Sequence, residues 1–199
     1  IEIRAFAGMG RLDAVDSVLA VMASLPPEPG SDPALRPVWA ALELRAHGHE
    51  AEARAMFEEA LEAFPSRTTS SAPYNLGRAF FYAGRWTEAA TIFEQLAREQ
   101  PENLTYLYYH GVTLAKLGDR ESALEVARYA AELDRVNVRG RHLLTEARII
   151  AALGDVDDAI RLLQQAFANG AFHGIWSHRD PALDELRGNP QFESLMRPR

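Results

Sequence analysis

The sequence predicts an all-α protein, a stack of antiparallel helix pairs closed by a short C-terminal helical cap. Three observations predict it. Glycines end apolar-patterned stretches at Gly48, Gly84, Gly118 and Gly154, and their spacings are 36, 34 and 36 residues. Repeats of that period are the mark of stacked supersecondary units. Fixed columns accompany the glycines: Ala53, Ala89, Ala123 and Ala159 lie five residues after them, and Ala41, Gly77, Gly111 and Ala147 seven before. Prolines Pro65 and Pro101 stand seventeen after their glycines, where a second helix has to stop.

The columns define two helices of roughly 14 residues per unit. Glycine ends the first because it takes the left-handed C-terminal conformation at little cost. The small residues on either side of the turn let the two helices approach closely. Four and seven positions beyond each alanine come Phe57, Phe93, Ala127 and Leu163, then Ala60, Leu96, Ala130 and Ala166. These spacings keep one face of the second helix turned inward.

Taken in order, a partial unit covers residues 1–27. Its first helix, residues 1–9, is about one turn short; Gly10 turns the chain, Val15, Leu19 and Met22 fill the second-helix columns, and Pro27 ends it. A loop follows at 28–33. Full units are expected at 34–67, 70–103, 104–137 and 140–173, with two-residue insertions after the first and third. Arg135 and Ala171 replace the terminating proline in the last two, and His110 and Glu146 hold a column otherwise suited to leucine. Residues 174–199 form the cap. Asp180-Pro181 and Asn189-Pro190 are each an N-cap followed by proline at the first helical position, with Leu183, Leu186, Phe192 and Leu195 as apolar contacts.

The run Asn75-Leu76-Gly77-Arg78-Ala79-Phe80, followed by Gly84, Ala89, Phe93 and Pro101, closely resembles the tetratricopeptide repeat. The resemblance implies a right-handed α-solenoid across residues 1–173. The tail resembles those that close such arrays in bacterial signalling and regulatory proteins, and it is expected to cover the last unit's apolar face.

Composition narrows the function classes. Of 199 residues, 47% are hydrophobic and 25% charged, as in folded globular proteins. No apolar run approaches the ~20 residues of a membrane-spanning helix. The net charge of −7 disfavours nucleic acid, which is gripped through Lys and Arg. Cysteine is absent, which removes disulfides and thiolate metal sites. The chain opens Ile1-Glu2-Ile3 without an initiator Met, so it reads as a segment of a longer protein, bacterial by its Arg and Ala bias; a cytoplasmic location is expected, with an extracytoplasmic one as the alternative if the parent is membrane-anchored.

No nucleotide loop, nucleophile elbow or zinc signature occurs. His47-Gly48-His49-Glu50 is read as a polar inter-helix turn rather than a metal site, and no cofactor is expected. His110 and Glu146, at equivalent positions of adjacent units, are expected to lie close. They form a hydrogen-bonded structural pair on one reading, and with His142 an acid–base or metal site on the other.

The resemblance implies that first helices line a concave groove. Its inward positions here include Trp39, Arg45, Tyr74, Asn75, Arg78, Phe81, Tyr82, Tyr108, Tyr109, Lys116, Arg141 and Arg148, rich in the aromatic and arginine side chains that anchor interfaces. The first helices carry Arg36, Arg45, Arg78, Lys116, Arg141 and Arg148 against only Glu43 and Glu146, whereas acids predominate on the second helices. An acidic protein or peptide partner fits that asymmetry. Tyr74, Arg78, Tyr109, Arg141 and Thr145 stand where the chaperone-tail-binding subgroup carries its Lys, Asn and Arg set, so that ligand is rejected. The sequence therefore reads as a non-catalytic protein-binding scaffold. Its alternatives are a sensor or regulatory segment of a signalling enzyme or transcription regulator, and an enzyme using His110 and Glu146.

Overall fold

The computed structural model describes residues 2–24, 33–62, 64, 72–133, 139–172, 177 and 179–197. Pro27, Pro65, Arg135, the loop at 28–32 and the insertion at 68–69 lie outside them. Helices follow as α1 (Glu2–Gly8), α2 (Leu12–Ser24), α3 (Leu35–Ala46), α4 (Glu50–Glu62), α5 (Ala72–Tyr82), α6 (Trp86–Glu99), α7 (Leu104–Lys116), α8 (Arg120–Glu132), α9 (Arg141–Ala152) and α10 (Val156–Ala168). A 3-10 helix (Pro181–Leu186) and α11 (Pro190–Met196) end the chain. Two compact units divide it, residues 1–85 and residues 86–199.

The turn glycines do what the period demands. Gly10, Gly48, Gly84, Gly118 and Gly154 all have φ between 66° and 87°. Each completes the same pair of closing bonds. At Gly118 the amide donates to the Ala115 carbonyl, 3.1 Å, and the Asp119 amide to that of Leu114, 3.0 Å. This is the Schellman arrangement, which satisfies carbonyls left over at a helix end. Gly170 (φ 87°) builds it once more, with the Ala171 amide donating to Ala166, 2.9 Å. A left-handed glycine thus ends α10 where the terminating proline is missing.

Close helix approach explains the small-residue columns. Ala41, Ala53, Ala89, Ala123, Ala147 and Ala159 are essentially inaccessible. A Cβ on Gly111 would run into the Ile149 side chain of α9, with Cγ1 at 2.8 Å and Cδ1 nearer, and would lie 3.1 Å from Val126 Cγ1 of α8. In the first unit Val15, Val38, Leu42, Leu44 and Phe57 form the core; in the second Phe93, Val112, Ile149, Ile160 and Leu163 do. Arg120 ties α8 to the next turn through Asp155, 2.5 Å.

The partial repeat docks by its turn. The His47 ring lies against Gly8 and the His49 ring against Gly10, where a Cβ would meet them at 3.2 and 2.6 Å. His47 Nδ1–H donates to the Glu43 carbonyl, 2.9 Å. The His47–His49 turn is therefore a packing element, and α1 adds Arg4, whose guanidinium interacts electrostatically with buried Glu43.

The tail does more than cover an apolar end. The 3-10 helix packs chiefly on α9 and also touches α10, while α11 packs on α10. Pro181, Ala182, Leu183, Leu186 and Phe192 are buried. Asp180 Oδ1 caps the 3-10 helix by accepting from the Ala182 amide, 3.0 Å, and Asn189 Oδ1 caps α11 by accepting from the Gln191 amide, 2.9 Å.

Two glycine variants separate packing from backbone strain. Gly111→Leu overfills the α7–α8–α9 contact and is expected to cost about 1–3 kcal/mol or more. Gly118→Ala meets no atom within 4 Å and carries only the left-handed penalty of about 1–2 kcal/mol. Urea unfolding of both variants checks this; parent-like stability in Gly111→Leu would contradict the helix register.

Candidate functional site

In the first unit, α3 and α5 bring four of the expected groove residues together. Successive turns of α5 place Tyr74, Arg78 and Tyr82 four residues apart on one face. The Arg78 guanidinium lies over the Trp39 ring at 4.7 Å and the Tyr74 ring at 5.2 Å. Trp39 and Tyr82 pack at 5.7 Å. All four side chains are half-buried, so their edges reach solvent. A cation over an aromatic face is stabilised by the ring quadrupole, and this rigid, partly exposed platform has the composition of an interface anchor. Arg45, from α3, is committed locally: it donates to the Tyr82 carbonyl, 2.9 Å, and lies 5.9 Å over Phe57.

Asn75 and Phe81 need correction. Both are buried, Phe81 completely, and Phe81 packs edge-on against Tyr82. Neither lines the platform; Phe81 packs behind Tyr82. Phe80-Phe81-Tyr82 is apolar on three successive faces, so helical position alone does not decide which ring turns outward.

The second unit contains the other five. Tyr109 is a core residue, 4% exposed and stacked on Phe93 at 4.4 Å, so it does not line the expected groove. Arg141 is exposed, with Nη2 at 3.5 Å from Thr105 Oγ1. Tyr108, Lys116 and Arg148 converge on the face of α7 and α9, but the tail already lies on it. Tyr108 Oη–H donates to Asp180 Oδ1, 2.6 Å. Arg148 Nε lies 3.0 Å from Asp180 Oδ2, and its guanidinium sits 5.1 Å over the Tyr108 ring. Lys116 Nζ reaches Glu185 Oε1 at 3.5 Å. Asp180 and Glu185 are the site residues the sequence reading missed. The available signal was charge: two tail acids in a chain whose first helices are basic.

His110 and Glu146 do not form the expected pair. No hydrogen bond or ion pair joins them among the described residues. Burial lowers the His110 pKa, with Glu94 opposing and Arg98 assisting. Burial raises the Glu146 carboxyl, with Arg161 opposing and Asp158 assisting. Each thus faces acids and arginines of a second helix, Glu94 and Arg98 on α6 for the one, Asp158 and Arg161 on α10 for the other. Among the described residues no group of three or more His, Asp or Glu side chains is placed to hold a metal ion, and no helix is long and apolar enough to cross a membrane.

A family model agrees with the repeat pattern over part of the chain. The tetratricopeptide repeat family matches residues 74–137, the span of α5 to α8. No curated protein matches the chain. The solved structure described as "MamA AMB-1 P212121" is similar with a TM-score of 0.43 and 16% identity, over 84% of this chain and 94% of that one.

The two displaced titrations predict opposite slopes of stability with pH. The folded state holds the Glu146 proton more tightly than the unfolded chain does, so its carboxylate costs stability at neutral pH and the cost disappears below pH 4.5. Glu146→Gln should raise the thermal midpoint at neutral pH, with the gain vanishing in acid. Folded His110 resists protonation, so stability falls as pH drops below 6.5, and His110→Gln should flatten that fall. Thermal melts across this range check both signs.

Proposed function

We propose that this tetratricopeptide-repeat chain is a non-catalytic scaffold that binds an acidic protein or peptide on the faces of its first helices. The observation that carries the reading is the Trp39–Tyr74–Arg78–Tyr82 platform, in which a guanidinium is held over two aromatic rings at a half-buried surface. The rings offer rigid apolar area at small entropic cost, and the guanidinium supplies a planar cation for a carboxylate. Its charge sits on a helix layer that is basic within an acidic chain, which steers an acidic partner toward it.

The distribution of charge in the second unit supports the same reading. There the first-helix residues Tyr108, Lys116 and Arg148 hold carboxylates of the chain itself. A face that accepts Asp180 and Glu185 has the chemistry to accept acids from elsewhere. The second helices, lined by Glu58, Glu59, Glu94 and Glu125 among others, have the opposite chemistry.

The test begins with a partner captured on immobilised chain from extract. Trp39→Ala combined with Arg78→Glu should weaken binding at least tenfold, about 1.4 kcal/mol, and reduce its sensitivity to salt. Arg54→Glu on α4 and Arg161→Glu on α10 should change it little. If the second-helix changes proved as damaging as the platform changes, the partner would lie on the other face.

A further inference from the structure

We infer that the α7–α9 face is a carboxylate-reading site occupied in cis by the chain's own Asp180–Leu186 segment, so that an acidic partner reaches it only in exchange for that segment. The inference rests on the reading of first helices as the binding layer and adds the regulation of one part of it.

The geometry is that of a bound peptide. Asp180 is 7% exposed, and both its oxygens are engaged: Oδ1 by Tyr108 Oη and the Ala182 amide, Oδ2 by Arg148 Nε. Five residues on, Glu185 makes a second anchor at Lys116, while Pro181, Ala182, Leu183 and Leu186 of the same segment are buried. An apolar helix face laid against a groove is a recurring mode of peptide recognition, and here charge-paired acids accompany it.

A cap alone would not require this chemistry. Covering the apolar end of a repeat array takes apolar side chains, and a buried ion pair is at best a weak source of net stability compared with them. What a desolvated carboxylate supplies is selectivity, because removing it takes away the acceptor of the Tyr108 hydroxyl bond and the ion pair of Arg148. The site therefore discriminates sharply between an acidic occupant and none, and an incoming segment exchanges for the resident one only if it brings a carboxylate of its own. The anchors also stand on α7 and α9, the layer that carries the basic residues.

The experiment uses the full chain and one probe, a fluorescent acetylated peptide with the sequence of residues 179–187. The parent should bind it weakly, because the resident segment competes. Glu185→Lys, at a largely exposed side chain, sets two cations against each other at Lys116 and loosens the resident segment. Asp180→Asn removes its central anchor. Each should bind the peptide at least tenfold more tightly by anisotropy. Adding Arg148→Gln to Glu185→Lys should cancel the gain, and adding Trp39→Ala should not. Should Asp180→Asn lose its cooperative melt, Glu185→Lys carries the comparison alone. Saturating peptide should also speed amide exchange at 182–187 in the parent and leave α10 unchanged. Equal affinity of parent and Glu185→Lys, a gain that survives Arg148→Gln, or unchanged exchange at 182–187 would each overturn the inference. A captured partner that still depends on Trp39 and Arg78 would then leave the scaffold reading standing.

Discussion

A helix with one apolar stripe is useful to a repeat protein only if it can end, reverse and lay a second helix against itself within a few residues. Ending leaves carbonyls without amide partners, and reversing needs a residue in the left-handed region. In this chain one device meets both demands, the glycine with φ near 80° whose neighbouring amides return to the last turn of the helix. It occurs at Gly10, Gly48, Gly84, Gly118 and Gly154, and again at Gly170 where the array gives way to the tail. Because each closure is identical, each following helix starts at the same offset, and Ala53, Ala89, Ala123 and Ala159 fall where little room is left. Helix register, core and the facing of the first helices all follow from that closure.

Within each unit the first helices turn small residues toward their neighbours, while Trp39, Tyr74, Arg78 and Tyr82 of the first unit keep partly exposed positions. Acids sit mainly on the second helices, so the chain as a whole is negative while this layer is not. The two units use the layer differently. One displays a cation–aromatic platform at a half-buried surface; the other spends Tyr108, Lys116 and Arg148 on the chain's own acids. In both units a cation of a first helix lies over an aromatic ring, Arg78 over Trp39 and Arg148 over Tyr108.

What the sequence disclosed was whatever repeats locally. The glycine closures, the alanine column and the proline-led caps at Asp180 and Asn189 are each decided by a few adjacent residues, so spacing alone placed them. Distinctions that depend on tertiary context were hidden. Phe81 and Tyr109 are core residues, whereas Tyr74 and Tyr82 reach the surface, although all four are aromatics on first helices; neighbouring helices decide that, not periodicity. His110 and Glu146 shared a column yet turned to different second helices. The Tyr108–Asp180 bond spans 72 residues, and no local pattern reports it. Two local patterns do carry such information: Gly8 and Gly10 mirror the two-residue spacing of His47 and His49, and Asn169-Gly170 immediately precedes Ala171, the position otherwise suited to proline.

If a partner binds on the first helices, a probe placed there should lie against it. Since the chain has no cysteine, a photo-cross-linker can be carried on a single introduced thiol, at Tyr74→Cys on α5 or at Glu59→Cys on α4. With partner captured on the chain, cross-linking should be efficient from position 74 and at background from position 59. Efficient capture from position 59, with position 74 silent, would contradict it.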